Sequence, residues 1–336
     1  MQKVLLTGIT GFLGSRTAIQ LLNKGYHVTG TLRNKDRAES IKTIVSTHTE
    51  NIENLELIQA DLIDDRWGDR MAGIDYVMHI ASPFPRTLPK HEDDLIIPAK
   101  KGALNIIQAA SKKSVKRVVM TSSSGAITYG VSKHKTFNEE DWTDVTNKKD
   151  TTPYFRSKTI AEKAAWDFIK SNDSDLELTV INPSLITGPI IEKDYGTSGE
   201  LIKKMIEGSM PALPDIGFPT IDVRSVAEAH ILAMETKAAA GERIICSGEY
   251  YTVSDIASII RPLYPNLKIP KSKLPNFGVK IFALFDKEAR TILLDLGTRR
   301  KLDNSKARQL LGWEPMDGKE GVISMAKSMI EHGVVS

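Results

Sequence analysis

The sequence predicts an α/β fold, a parallel, doubly wound sheet with a smaller and mostly helical region toward the C-terminus. Three observations carry this. Short apolar runs alternate with helical stretches over the first half of the chain, the pattern of repeated β-α-β units. A glycine-rich turn stands between the first such run and the first helix. After about residue 182 the strict alternation weakens and prolines accumulate at 211, 214, 262, 265, 270 and 275.

The elements follow in order. Lys3–Thr7 (KVLLT) reads as a strand buried on both faces, since parallel sheets are covered on both sides. Gly8, Gly11 and Gly14 follow, spaced G-x-x-G-x-x-G. Phe12, Leu13, Ala18, Ile19, Leu21 and Leu22 then give a helix with a broad apolar face. Glycines permit a tight turn and let backbone N–H groups approach a pyrophosphate, and a helix N-terminus adds partial positive charge. Thr7, Gly8, Thr10, Gly11, Phe12, Leu13 and Gly14 are therefore expected to hold a dinucleotide.

A second strand spans Tyr26–Leu32. A ribose-reading acid would stand near its end, ~20 residues beyond the glycines. Leu32 and Arg33 stand there instead, with Lys35 and Arg37 behind. A guanidinium fork matches a 2′-phosphate, so Arg33 favours NADP(H) over NAD. A third strand, 55–60, ends at Asp61 and Leu62, placed for the adenine. A fourth, 75–80, ends at Ile80, Ala81 and Ser82, residues that let backbone lie against a ligand. A helix is expected from about Asp93 to Ser111. A fifth strand, 116–121, runs into Thr121-Ser122-Ser123-Ser124-Gly125.

Tyr154 and Lys158 lie on the next helix, with Thr151 or Thr152 as its cap and Pro153 in its first turn. Residues four apart share a helix face. A free phenol titrates near ~10 and a neighbouring ammonium lowers that value, so this pairing predicts a tuned proton donor. Strand alternation turns Thr121 and Ser123 one way and Ser122 the other.

Gly8-x-x-Gly11-Phe12-x-Gly14, the Thr121-Ser122-Ser123 strand end and Tyr154-x-x-x-Lys158 resemble the extended short-chain dehydrogenase/reductases. Further matching stretches are Gly102–Asn105, Asn182–Pro189, Ile221–His230 and Leu311–Pro315, spread over nearly the whole chain. Arg33 and the His79–Pro83 strand end are similar to the dihydroflavonol-reductase-like branch. The resemblance implies a Rossmann domain and NADPH-dependent reduction of an aldehyde or ketone. It puts the catalytic roles on Ser123, Tyr154 and Lys158, with Ser122 or Ser124 chosen if the match slips by one. It also implies that Thr121, Ser122, Pro183, Leu185, Ile186 and Ser198 join the cofactor contacts, Pro183 and its followers lining the nicotinamide side.

The expected division gives residues 1–185 and about 218–255 to the NADP-binding domain. Residues about 186–217 and 256–336 form the substrate region, walled by Phe84, Pro85, Ser198, Ile202, Met205 and Phe218. A nucleotide-sugar epimerase would use the same Ser, Tyr and Lys with tightly held NAD, but an acid should then replace Leu32 or Arg33. A sugar dehydratase needs acids beside the serine. A non-catalytic NADP sensor would not need Tyr154 and Lys158.

The chain has 336 residues, 41% of them hydrophobic, enough for a sizeable core. A net charge of +3 without a long basic tract argues against nucleic acid. The seven histidines show no metal-ligand spacing, so no metal is expected, and His79 and His230 read as core or cofactor-wall residues. Cys246, the single cysteine, sits in a late strand at 242–247 and fits a reducing compartment. The first strand leaves no room for a signal peptide, and no run of ~18 apolar residues suggests a membrane span. A cytoplasmic protein acting on a small carbonyl or alcohol substrate is expected, with homodimer formation left open.

Overall fold

The computed structural model describes residues 1–336 apart from 65, 84–90, 134, 286 and 336, and apart from the side chains of 287–289. Its centre is a seven-stranded sheet of β1 (Lys3–Thr7), β2 (His27–Leu32), β3 (Leu55–Gln59), β4 (Tyr76–His79), β5 (Arg117–Thr121), β6 (Glu177–Pro183) and β7 (Arg243–Cys246). The spatial order is β7-β6-β5-β4-β1-β2-β3, and every pairing is parallel. The order reverses between β1 and β4, which opens a crevice at the carboxyl ends of these strands.

Helices cover both faces. Helices α1 (Phe12–Asn23) and α4 (Val223–Glu235) pack on one face, where Leu13, Leu21, Leu22, Val226 and Ile231 meet Val4, Leu6 and Val28. On the other, α2 (Asp93–Ser111) and α3 (Pro153–Ser171) bury Ile106, Ile107, Ala161 and Ala165 against Leu5, Val77, Val118 and Val180. The apolar runs of the strands thus feed two cores, one per face, as a double-sided sheet requires. Cys246 lies fully buried in β7.

A third apolar cluster, around Ile190, Ile202, Met205, Ile256, Val322, Met325 and Met329, lies in the more helical remainder. Part of that remainder departs from the expected division. Ala307, Leu311 and Trp313 pack into the core beside α4, and the Trp313 indole donates to the Ser225 carbonyl at 2.9 Å. Gly312 supplies the left-handed residue that ends the helix Ser305–Leu311, which lets Trp313 turn back onto the sheet domain.

A second long-range tie reaches the start of α3. The Arg300 guanidinium donates to both Asp150 carboxylate oxygens at 3.0 Å and to Asp295 at 2.6 Å. Tyr129, over which Arg300 lies at 4.2 Å, stacks on Phe155 with centroids 3.8 Å apart. Among the described residues, no helix is long and apolar enough to cross a membrane.

Candidate active site

The glycine turn is built by contact as much as by conformation. Gly8 has φ +79°, and a Cβ on it would lie 2.9 Å from the Ala81 Cβ. A Cβ on Gly14 would lie 2.0 Å from the Gly8 carbonyl oxygen. The α1 N-terminus therefore sits directly against the turn. Its N-cap, Gly11, has no side chain to cap it, and the first turn carries no acid. Free N–H groups and the dipole are left facing outward, a ready seat for a phosphate. Thr7 ties the ends of β1 and β4 together: its hydroxyl pairs with His79 Nδ1 at 3.0 Å and accepts from the Ala81 N–H at 3.1 Å.

A cleft of about 730 Å³ opens over this turn. Of the expected cofactor residues, Gly8, Thr10, Gly11, Phe12, Leu13, Gly14, Arg33, Asp61, Leu62, Ile80, Ala81 and Ser82 line it. The Arg33 guanidinium is exposed at the cleft with no partner among the described residues. Sequence reasoning missed the opposite wall, Lys193–Thr197 and Glu200. The signal available was its place in the loop that follows the carboxyl end of β6, where such crevices collect their walls. Arg37, beyond the end of β2, forms an ion pair with Glu192 at the start of that wall.

The serine turn and α3 meet beyond β5. Thr152 caps α3, its hydroxyl accepting from the Phe155 N–H, with Pro153 at the first helical position. The partly exposed Tyr154 has Ser123 beside its phenol. Ser123 has extended backbone and its Oγ also accepts from the Gly125 N–H at 3.0 Å. Lys158 is buried one turn along, its Nζ 6.0 Å from the centre of the Tyr154 ring. Burial pulls the Lys158 ammonium down to about 8, against the pull of Glu162. The buried His79 imidazole is held neutral, pushed down to about 3 by burial and then by Lys158.

Several expectations need correction here. Burial raises the Tyr154 phenol above its ordinary value, partly offset by Ser123 beside it. The neighbouring ammonium was expected to lower it, but the downward pull here comes from Ser123. Strand alternation also fails past Thr121. Thr121 meets His230 Nε2 of α4 at 2.7 Å, whereas Ser122 and Ser123 both turn to α3, because β5 ends at Thr121 and a 3₁₀ turn begins at Ser124. The Ser122 hydroxyl donates its one proton to the buried Glu162 carboxylate at 2.5 Å.

Pro183, at the end of β6, is buried, while Leu185 and Ile186 are partly exposed in the short strand Leu185–Thr187 that follows. The Ser198 hydroxyl donates to the Ile186 carbonyl. Ile202 and Met205, expected to wall the substrate, belong to the third apolar core, and Phe218 packs against it. Phe84 and Pro85 lie outside the described residues. Among the described residues, no group of three His, Cys, Asp or Glu could hold a metal ion.

Comparison with known proteins agrees with this architecture. The NAD dependent epimerase/dehydratase family matches residues 4–247. The NADPH-dependent methylglyoxal reductase of Saccharomyces cerevisiae is 31% identical over 351 residues, covering 98% of each chain. A cinnamoyl-CoA reductase of Medicago truncatula is 35% identical over 275 residues, covering 80% of this chain and 82% of that one. Among solved structures, the yeast methylglyoxal/isovaleraldehyde reductase complexed with NADPH superposes with a TM-score of 0.81 at 29% identity, over 99% of this chain and 100% of that one. The strand order, the glycine turn and the Ser123–Tyr154–Lys158 grouping thus stand in a chain that belongs to the NAD dependent epimerase/dehydratase family, the extended short-chain dehydrogenase/reductases.

Proposed function

We propose that this protein is an NADPH-dependent reductase of small aldehydes or ketones. The observation that carries the reading is the grouping of Ser123, Tyr154 and Lys158, with Ser123 beside the Tyr154 phenol and Lys158 one helical turn on, beyond the strand ends that line the cleft. The cradle at Gly8 and Gly14 and the uncapped α1 N-terminus suit the pyrophosphate of a dinucleotide. Arg33 suits a 2′-phosphate, and the yeast methylglyoxal reductase, named for NADPH and solved in complex with it, supports the same cofactor.

When bound, NADPH supplies hydride to the carbonyl carbon. Tyr154 donates its O–H proton to the carbonyl oxygen; burial keeps that phenol protonated at neutral pH. The Ser123 hydroxyl hydrogen-bonds the same oxygen as negative charge builds on it. Lys158 holds the ribose hydroxyls with its ammonium. Residues 1–185 and about 218–255 form the NADP-binding domain and about 186–217 and 256–336 the substrate region, although Lys193–Thr197 and Glu200 also line the cofactor cleft and Ala307, Leu311 and Trp313 pack into the sheet domain. A single buried cysteine fits a reducing cytoplasm.

The test is oxidation of NADPH and, separately, NADH by the purified protein against a panel of simple aldehydes and ketones, followed at 340 nm. Turnover with NADPH supports the reading. Turnover of a nucleotide sugar without net cofactor oxidation overturns it.

A further inference from the structure

The helix Asn276–Phe285 is apolar on the side that faces away from the protein. Val279 and Ala283 seat it on the fold, each 3% exposed. At ~100° per residue, Phe277, Ile281, Leu284 and Phe285 fall within about 100° of arc on the opposite side. Their exposures are 69, 55, 67 and 84%, and Phe282, at the margin of this face, is 55% exposed. Five of the ten large hydrophobic residues exposed among the described residues thus sit on one helix of ten residues. A surface helix ordinarily turns its polar side to water, and a contiguous exposed apolar patch marks a contact.

The surroundings of the patch are basic. Residues 268–290 carry six basic residues against two acidic ones. Lys271 and Lys273 are exposed just before the helix, and Lys280 is exposed along its flank. Exposed Arg290 donates from Nε and a terminal nitrogen to the Ala283 and Leu284 carbonyls, both at 2.9 Å, which fixes a guanidinium at the helix C-terminus. Asp215, which shares the surroundings of Gly297 with Asn276, is paired with Arg299.

We propose that this helix docks on an anionic phospholipid bilayer. Phe277, Ile281, Leu284 and Phe285 enter the boundary between headgroups and acyl chains, while Lys271, Lys273, Lys280 and Arg290 meet the anionic headgroups. Ten residues are too few to cross a bilayer, which takes ~20, so the helix lies in the plane of the surface. Buried apolar area and attraction to anionic lipid act together in this mode of binding. A second copy of the chain fits the patch less well, because a two-fold contact sets a surface against itself and would bring the same cations together. The proposal is independent of the reaction assigned above, since none of these residues lines the cofactor cleft.

The experiment sediments the full chain with unilamellar vesicles of phosphatidylcholine alone and of phosphatidylcholine mixed with phosphatidylserine. Binding to the mixed vesicles should be about tenfold stronger or more, and should weaken as salt is raised. Combined Phe277→Ser, Ile281→Ser and Phe285→Ser should abolish sedimentation with both. Combined Lys271→Glu, Lys273→Glu and Lys280→Glu should remove the preference for phosphatidylserine. NADPH titration of both variants checks that they are folded. Phe285→Trp exchanges one exposed ring for another and covers the case where the serine variant does not fold. Its emission, beyond that of the four native tryptophans, should shift to the blue on mixed vesicles and stay unshifted without lipid. A parent protein that stays in the supernatant with mixed vesicles overturns the proposal, as does a folded serine variant that sediments as well as its parent. A dimer that forms without lipid and is lost in the serine variant, seen by analytical ultracentrifugation, overturns it in favour of a second copy.

Discussion

Gly14 and Gly8 stand so close that a Cβ on Gly14 would lie 2.0 Å from the Gly8 carbonyl oxygen and 2.7 Å from its carbon. Backbone cannot yield as a flexible side-chain tip can. Gly14→Ala should therefore push α1 off the turn, lower Tm by several degrees and weaken NADPH binding more than tenfold; overpacking typically costs about 1–3 kcal/mol. Gly11 makes the contrast. Its φ is −90° and its nearest non-local atom would be 3.5 Å away. Gly11→Ala should keep its Tm and lose affinity only, because the new methyl enters the cleft. Calorimetry paired with a cofactor titration distinguishes the two, and equal melting temperatures for both variants would contradict the contact argument.

Tyr154→Phe removes the proton donor, which also faces Ser123, and keeps the ring. Turnover should nearly vanish while NADPH affinity stays close to that of the unmodified protein. Ser123→Ala removes one donor to the developing oxyanion, typically ~100-fold or more in kcat. Ser122→Ala breaks the contact with Glu162 instead, so its main effect should be on stability, roughly 1–2 kcal/mol. Steady-state kinetics and chemical denaturation on the same preparations read these apart. A crippling Ser124→Ala beside a mild Ser123→Ala would shift the site by one residue.

Arg33 governs cofactor choice in the proposed function. Loss of a charge-assisted contact to phosphate costs roughly 1.5–3 kcal/mol, tenfold or more in affinity. Arg33→Ala should impose that loss on NADPH and little on NADH, measured by parallel titrations. Equal affinity of the unmodified protein for both cofactors would remove the argument.

Lys158 carries a stability cost. Its ammonium titrates near ~10.4 in an unfolded chain and at about 8 in the folded protein. Between those values the unfolded chain binds the extra proton, so this group adds stability as pH rises from about 8 to ~10.4. Below pH 8 the buried charge is simply a burden. Lys158→Met should unfold later at pH 7, by roughly 1–3 kcal/mol, and that advantage should shrink by pH 10. Urea titrations at the two pH values check the sign; a variant less stable than its parent at pH 7 would show the ammonium to be well compensated.

The sheet was readable because apolar runs such as Lys3–Thr7 and Arg117–Thr121 encode burial on both faces, and the predicted ends fall within about one residue of the observed ones. The Tyr154 helix was readable because Thr152 and Pro153 write its start in local chemistry. Contacts between distant segments were not. Nothing near Arg37 announces Glu192, and nothing near Glu162 announces Arg243, 81 positions on. Alternation misled at Ser123 because it assumes a strand that has already ended. Ile202 and Met205 misled because an apolar residue in a loop-rich region reads the same whether it faces a ligand or a third core.

The Arg300 clasp on Asp150 and Asp295 bears on how the protein matures on the ribosome. Tyr154 and Lys158 leave the exit tunnel roughly 140 residues before Arg300 does, at about 5–20 residues per second. During those seconds Asp150, three positions ahead of the helix that carries Tyr154, has Lys133 but not yet Arg300 as a cationic partner, and the edge strand Arg243–Cys246 has yet to complete the sheet. A nascent chain can fold its glycine turn early, yet the bench for its chemistry is finished only when the late segment arrives and closes over it.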